Sequence, residues 1–337
     1  MFKFFILFLN IRFSYQLNVN LFNHWNCIGI IDKIDFTKPY VINIGDLPLV
    51  VWKDNVKNKL FSTVNICKHM GSKLNNALIT DQGCLQCQYH GFEYGEKDCF
   101  GTVIEHEGKL FWSYDPILKH PFKIPFYNNN KYYKQFIEID MECSLPDSIY
   151  NTMDLRHPEY VHNKIVGFGS TVPPTNIKYY NYTDRVGLSF DYSSNELIQK
   201  ITKNTKVTHN FHMFIFPTFS WSRVIFDENK HLIIGINLLP LGPKKTRWYI
   251  TVCTNHYKTN IEQQFLRGAA STILGQDFIQ MKNQHPDDVL KKEILFNHVF
   301  EDEEVIIHLK NIMKDYKYID VNICANLYKH YKKSILE

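Results

Sequence analysis

Two short stretches hold residues whose types and spacing can do chemistry. In ICKHMGSKL, Cys67 and His69 stand as C-x-H, and in CLQCQYHGFEY, Cys87 and His90 stand as C-x-x-H, with seventeen residues between the pairs. Each pair offers one thiolate and one imidazole from the tip of a loop. Two Cys and two His match a [2Fe–2S] cluster with thiolates on one iron and imidazoles on the other. Neutral imidazoles in place of thiolates reduce the cluster's negative charge and raise its potential, so it accepts electrons readily from a ferredoxin-like donor. Gly71 and Gly91 follow the two pairs and suit tight loops. A tetrahedral Cys₂His₂ zinc site fits the same residue types, and Cys84 with Cys87 forms a C-x-x-C that makes a Cys₃His zinc site conceivable. Unrelated core residues are the third reading. On the cluster reading Cys84 is a small buried thiol on the strand entering the second loop.

The second constellation is NTMDLRHPEYVH, residues 151–162, with the pattern D-x-x-H-x-x-x-x-H. Two His and one carboxylate form the ligand set of mononuclear non-haem Fe(II) sites, which leave positions open for O₂ and substrate. On a regular helix, a five-residue spacing splays His157 and His162 by about 140°. The spacing therefore predicts a distorted helix, with Pro158 as the cause. Asp154, three residues before His157, is placed beside it on the same face, better set to hydrogen-bond His157 than to bind the same metal. The third ligand must come from elsewhere, and Asp277 in ILGQDFIQMKNQ is the best candidate. It lies in a predicted helix among Ile273, Leu274, Phe278 and Ile279, where a carboxylate is costly to bury unless paired or metal-bound. The plain alternative is a polar-face Asp. Asp287 and Asp288 follow Pro286 in a predicted loop and are weaker candidates. His209 and His212, in THNFHMF, point to opposite faces of a strand. Core or surface packing is the simpler role for them, and the alternative is that one of them lines the pocket.

These loops and helices need elements to position them. From Trp25 the chain reads as short strands broken by turns: a hairpin over 40–53 around Gly45-Asp46, a strand over 60–66 running into Cys67, and another over 109–114. This predicts a small all-β domain over 20–127, closed by an Asn128-Asn129-Asn130 linker. Residues 147–163 have helical spacing. The blocks 175–192, 206–226 and 231–253 are rich in Tyr, Phe, Val and Ile with partial alternation, predicting an antiparallel sheet. Residues 260–282 and 302–316 read as helices. The second domain, 131–337, is thus α+β, one curved antiparallel sheet with helices packed on it.

Composition narrows the function class. The 337 residues suffice for two ordinary domains, and apolar residues make up 45%, so the chain is globular. Net charge is +4 with Lys and Arg scattered, without the basic stripe that nucleic-acid binding requires. Eight cysteines are far sparser than in a disulfide scaffold, and the spacing points to metal ligation in a reducing compartment such as the cytoplasm. Residues 1–19 form an N-terminal extension. Its apolar run, Phe4–Leu9, is far shorter than the ~20 residues of a membrane span, and reads as the core of a targeting segment or as ordinary sequence.

With both motifs in this order, the chain resembles the terminal oxygenase component of Rieske non-haem iron oxygenases, from about residue 20 to the C-terminal helix. CKHMGSKL and CQYHGFEY look like that family's cluster loops. NTMDLRHPEYVH looks like its iron-binding helix, closest to the monooxygenase branch of vanillate demethylase, toluenesulfonate methyl-monooxygenase and pheophorbide a oxygenase. GQDFIQMKNQ is also similar to the ketosteroid hydroxylase and cholesterol desaturase branch. The resemblance implies a Rieske domain holding a [2Fe–2S] cluster through Cys67, His69, Cys87 and His90. It also implies a helix-grip (START-like) catalytic domain holding Fe(II) through His157, His162 and Asp277. It further implies a homotrimeric ring in which electrons cross between neighbours through His90, Asp154 and His157. Electrons would come from NAD(P)H through a separate reductase or ferredoxin, and O₂ would hydroxylate or oxidatively demethylate a small aromatic, sterol-like or alkaloid-like substrate. One departure is that plant pheophorbide-type relatives often carry a C-terminal C-x-x-C and a membrane-anchoring tail, where this sequence has Cys324 and no anchor. Two other classes compete. A Rieske electron carrier needs only the first domain and leaves residues 131–337 unexplained, and a zinc-binding module predicts zinc instead of iron.

Overall fold

The YVINI and LPLVVWKD runs pair as β2 (Tyr40–Ile44) and β3 (Leu47–Asp54) across Gly45-Asp46, as their alternation and turn residues predict. The computed structural model describes residues 21–162, 174–193, 207–284 and 304–313. Residues 1–19, Asp287, Asp288 and Cys324 lie outside them.

Three small antiparallel sheets come first. β4 (Lys59–Val64) extends the hairpin into a sheet ordered β2-β3-β4. A second sheet joins β1 (Asn26–Ile30), β9 (Lys109–Ser113) and β8 (Thr102–His106) in the order β1-β9-β8. The third is a set of two-residue strands, β5 (Leu78–Ile79), β6 (Leu85–Gln86) and β7 (Glu93–Tyr94). This third sheet carries the two cysteine-histidine loops. It packs on β3 through a core of Val50, Trp52, Leu74, Leu85 and Tyr94.

After the Asn-rich link the chain forms one seven-stranded antiparallel sheet. Its order is β10-β16-β15-β14-β13-β12-β11, with β10 over Tyr133–Met141, β11 over Thr175–Asn181 and β12 over Arg185–Ser193. The remaining strands are β13 (Val207–Ile215), β14 (Phe219–Asp227), β15 (Lys230–Gly242) and β16 (Lys245–Thr254). The sheet is curved, and its inner face, with Leu188, Phe190, Phe214, Trp248 and Ile250, packs against three of the four helices among the described residues, α2 standing apart from this core. The four helices are α1 (Leu145–Met153), α2 (His157–Val161), α3 (Asn260–Lys282) and α4 (Glu304–Met313). This is the expected α+β architecture, a helix-grip sheet preceded by an all-β unit. Both long site-bearing helices start on capping boxes: Ser144 with Asp147 opens α1, and Thr259 with Glu262 opens α3. α3 buries one stripe in its C-terminal half, Leu274, Asp277 and Met281.

The two parts share a core. Ile28, Leu110 and Trp112 pack in one cluster with Leu239 and Tyr249 of the large sheet. The Tyr249 hydroxyl donates to the Ile28 carbonyl at 2.9 Å, and the buried Lys109 ammonium donates to Thr251 Oγ1 at 3.0 Å. Among the described residues no helix is long and apolar enough to cross a membrane.

Candidate metal centres

The two loops of the first unit are built alike. Cys67 N–H donates to the Ser72 carbonyl at 2.7 Å, and Gly71 N–H donates back to the Cys67 carbonyl at 2.8 Å. Cys87 N–H donates to Phe92 O at 2.9 Å, and Gly91 N–H to Cys87 O at 2.9 Å. Each loop closes only because Gly71 (φ +76°) and Gly91 (φ +73°) take the left-handed conformation that other residues adopt at a cost of ~1–2 kcal/mol.

The four side chains sort by type. Cys67 and Cys87 are buried and hydrogen-bonded to each other, whereas His69 and His90 are exposed, with ring centres 4.7 Å apart. A single zinc, with ~2.3 Å bonds to sulfur and ~2.0 Å to nitrogen, would gather all four donors within about 4 Å of one another. Among the described residues, no three of these four donors gather within 4.8 Å. A thiolate pair beneath an imidazole pair suits two metal ions side by side, so the donor set fits a [2Fe–2S] cluster. Burial pushes the Cys67 thiol up, but hydrogen bonds from the Tyr94 hydroxyl, the His69 and Met70 amides and Cys87 outweigh it and leave it below the ordinary cysteine range. Cys84 stands half-buried at the edge of β6, outside this set.

The second centre joins α2 to α3. His157 Nε2 lies 3.6 Å and His162 Nε2 3.2 Å from Asp277 Oδ1, and one atom from each residue falls within a 4.8 Å group. Metal–ligand bonds of ~2.1 Å at right angles put ligand atoms about 3 Å apart, so this trio could hold one ion on one face. Asp277 is almost wholly buried, at 4% exposure, which a carboxylate tolerates only when paired or coordinated. Two neighbours set the ligand orientation. Gln276 Oε1 accepts from His162 Nδ1 at 3.0 Å, which turns Nε2 toward Asp277, and Asn151 Nδ2 donates to Asp277 Oδ1 at 3.3 Å. Burial dominates at His157 and holds its imidazole below the ordinary value. At His162, burial pushes down, but the hydrogen bond and charge of Asp277 prevail and hold it above.

The local path of the chain differs from the expected kinked helix. α1 ends at Met153, and α2 is a separate five-residue helix with His157 in its first turn and His162 just beyond its end. Pro158 sits in the first turn of α2, where its missing N–H costs nothing, so it starts the helix instead of bending one. Ending α2 before His162 removes the 140° splay. Asp154 is likewise not on one helix with His157. It closes α1 and caps α2: Oδ1 accepts from Arg156 N–H at 2.8 Å and His157 N–H at 3.2 Å, and Oδ2 stands 3.7 Å from His157 Nδ1. That Nδ1 is buried without a hydrogen-bond acceptor.

Comparison with known proteins then fixes the first unit. A family model for the Rieske [2Fe-2S] domain matches residues 24–110. Residues 24–110 are a Rieske domain. The chain is 21% identical to the chloroplastic pheophorbide a oxygenase of Oryza sativa subsp. japonica over 277 residues, 70% of this chain and 50% of that protein. It is 27% identical to the oxygenase component of dicamba O-demethylase from Stenotrophomonas maltophilia over 164 residues, 42% of this chain and 47% of that one. It thus spans about half the length of these curated relatives. In fold it matches dicamba monooxygenase bound to dicamba, with a TM-score of 0.71 at 16% identity, covering 88% of this chain and 97% of that structure. NdmA of Pseudomonas putida CBB5 follows at 0.69 and 13%, covering 86% and 89%.

Three residues around these centres escaped the sequence reading. Tyr94, wholly buried beneath the Rieske loops, bonds both Cys67 and the Lys68 amide, the latter at 2.6 Å. A donor to a ligand sulfur favours the more negative, reduced cluster. Tyr94→Phe should therefore lower the cluster's midpoint potential by roughly 40 mV, the equivalent of ~1 kcal/mol of hydrogen bonding, as protein-film voltammetry will read. Gln276→Leu should weaken iron binding by about 10–100-fold with the Rieske spectrum unchanged, as a metal titration will show. Gln276 carried a faint signal, a polar residue beside Asp277 in an apolar run; Tyr94 and Asn151 carried none. Of the histidine pair, His209 is exposed and meets Asp191 at 2.7 Å, whereas His212 is half-buried on the inner face near His157, and burial lowers its imidazole to about 4.

Proposed function

We propose that this chain is the oxygenase component of a Rieske-type monooxygenase system. It takes electrons from a separate reductase or ferredoxin and, with O₂, hydroxylates or oxidatively demethylates a small organic molecule. The observation that carries this reading is the convergence of His157, His162 and Asp277 on one point, in a chain that also contains a Rieske domain. An electron carrier needs no second centre, and two imidazoles with one carboxylate leave coordination positions open for O₂. In this reading residues 20–127 are the electron-accepting unit and 131–337 the catalytic unit.

Each residue then has a role. Cys67, His69, Cys87 and His90 hold the [2Fe–2S] cluster, and His157, His162 and Asp277 hold Fe(II). The iron supplies O₂ activation: one oxygen atom enters a C–H bond of the substrate, and the other leaves as water with two electrons and two protons. Gln276 and Asn151 fix the angles of His162 and Asp277. His90 is exposed at the tip of the Rieske loops and the Asp154 carboxylate is one-third exposed beside His157, so both present themselves outward. That favours transfer between neighbouring copies in a ring of three, from His90 to Asp154 and on to His157. Asp154 can accept hydrogen bonds from an imidazole on either side.

Metal analysis of the purified chain tests this. Brown protein with equal cluster iron and acid-labile sulfide, plus one further iron per chain, and O₂ uptake coupled to reductant supports it. Zinc alone sinks it, and cluster iron without the extra iron reduces the chain to an electron carrier.

A further inference from the structure

Alternation along the seven-stranded sheet decides what faces the metal trio. Strand pairing places Glu138, Asp140, Lys178, Asp191, Arg223 and Arg247 on the outer face. Among the described residues, the inner positions of the seven strands hold no Asp, Glu or Arg, and the one Lys with the inner parity, Lys230 at the turn into β15, is paired with Asp227 at 3.2 Å. The helices seal much of this face, and Val186, Leu188 and Phe214 are wholly buried. In its middle, His212, Ser222, Val224, Leu232, Ile234 and Ile236 stay half-accessible. His212 and Ser222 sit directly opposite each other on β13 and β14, and Ser222 opposes Ile234 on β15. The uncovered patch is thus an aliphatic wall interrupted by two adjacent hydrogen-bonding groups, and His212 lies close to His157.

A carboxylate or ammonium group pressed against this patch sheds its hydration and finds no counter-charge among the six side chains that form it. A hydroxyl or carbonyl oxygen finds two partners, while four branched aliphatic side chains meet an apolar body. We infer that the substrate of this site is an uncharged, largely aliphatic or alicyclic molecule, held by one hydroxyl or carbonyl oxygen on His212 and Ser222. This rests on the oxygenase reading for its chemistry but not for its binding.

The test is calorimetric titration of the full chain with matched probes: cyclohexanol, 2-naphthol and a 3-hydroxysterol, each beside its deoxy hydrocarbon and the corresponding carboxylate. Within the best-bound skeleton, the alcohol should bind at least about tenfold tighter than either the hydrocarbon or the carboxylate. Ser222→Ala should erase most of that advantage without weakening the hydrocarbon, and Ser222→Thr should keep it. A carboxylate that binds as well as its alcohol overturns the inference, as does an unchanged preference in Ser222→Ala or no binding by any alcohol. Product analysis with cluster- and iron-loaded protein separates the two claims. Oxidation of carboxylates alone sinks the substrate class and leaves the oxygenase standing. Selective binding of the alcohol without product does the reverse.

Discussion

Replacing Asp277 by alanine is expected to remove one iron of about three per chain while leaving the visible spectrum of the [2Fe–2S] cluster unchanged. Asp277 supplies the single anionic donor of the trio, and its Oδ1 is the atom on which both imidazoles converge, at 3.2 and 3.6 Å. Without it, two neutral imidazoles face the metal alone, and Asn151 loses its acceptor. The loss of a ligand should exceed the 10–100-fold effect typical of an orienting neighbour, so O₂-dependent turnover should fall by at least about a thousandfold. Iron and sulfide analysis separates this from misfolding, because the Rieske loops lie on a different sheet and should keep their metal. Full retention of the extra iron would falsify the ligand assignment.

The second large effect is expected at Asp154, where one side chain has two tasks that different substitutions separate. Oδ1 caps α2 through the Arg156 and His157 amides, and Oδ2 faces His157 Nδ1. Asp154→Asn keeps a capping oxygen, since Asn caps nearly as well as Asp, but removes the negative charge. It should leave both metal centres loaded and melting unchanged while coupled turnover falls by about a hundredfold. Asp154→Ala should add ~1 kcal/mol of destabilisation from the lost cap. If electrons pass through Asp154, rapid-mixing spectra will show the reduced cluster reoxidising slowly in Asp154→Asn. Reoxidation at the unaltered rate leaves Asp154 a cap and nothing more.

Much of this architecture was legible because its signals are local. The Rieske loops follow from fixed C-x-H and C-x-x-H spacings and from glycines whose positive φ the loops require. α3 spans the expected residues 260–282 because a capping box opens it and helix-forming residues continue it. The link between His157 and His162 was legible as a problem but not in its solution. Five-residue spacing says that a regular helix fails, and only the structure shows that the chain ends α1, caps anew with Asp154 and stops α2 before His162. Residues acting across long separations left a faint signal at most. Gln276 reaches His162, Asn151 reaches Asp277 and Tyr94 reaches back to Cys67, each through contacts that no spacing encodes. His212 reads as packing in sequence, and only strand register turns it inward, toward His157.

The core that Ile28, Leu110 and Trp112 share with Leu239 and Tyr249, with the Lys109–Thr251 hydrogen bond beside it, ties the Rieske domain to the large sheet. If electrons cross between copies in the proposed ring of three, turnover becomes a property of the population. Dilution that parts the copies should idle every one of them with both centres intact. Conversely, a preparation in which half the copies lack Cys67 and the other half lack Asp277 should regain turnover once mixed.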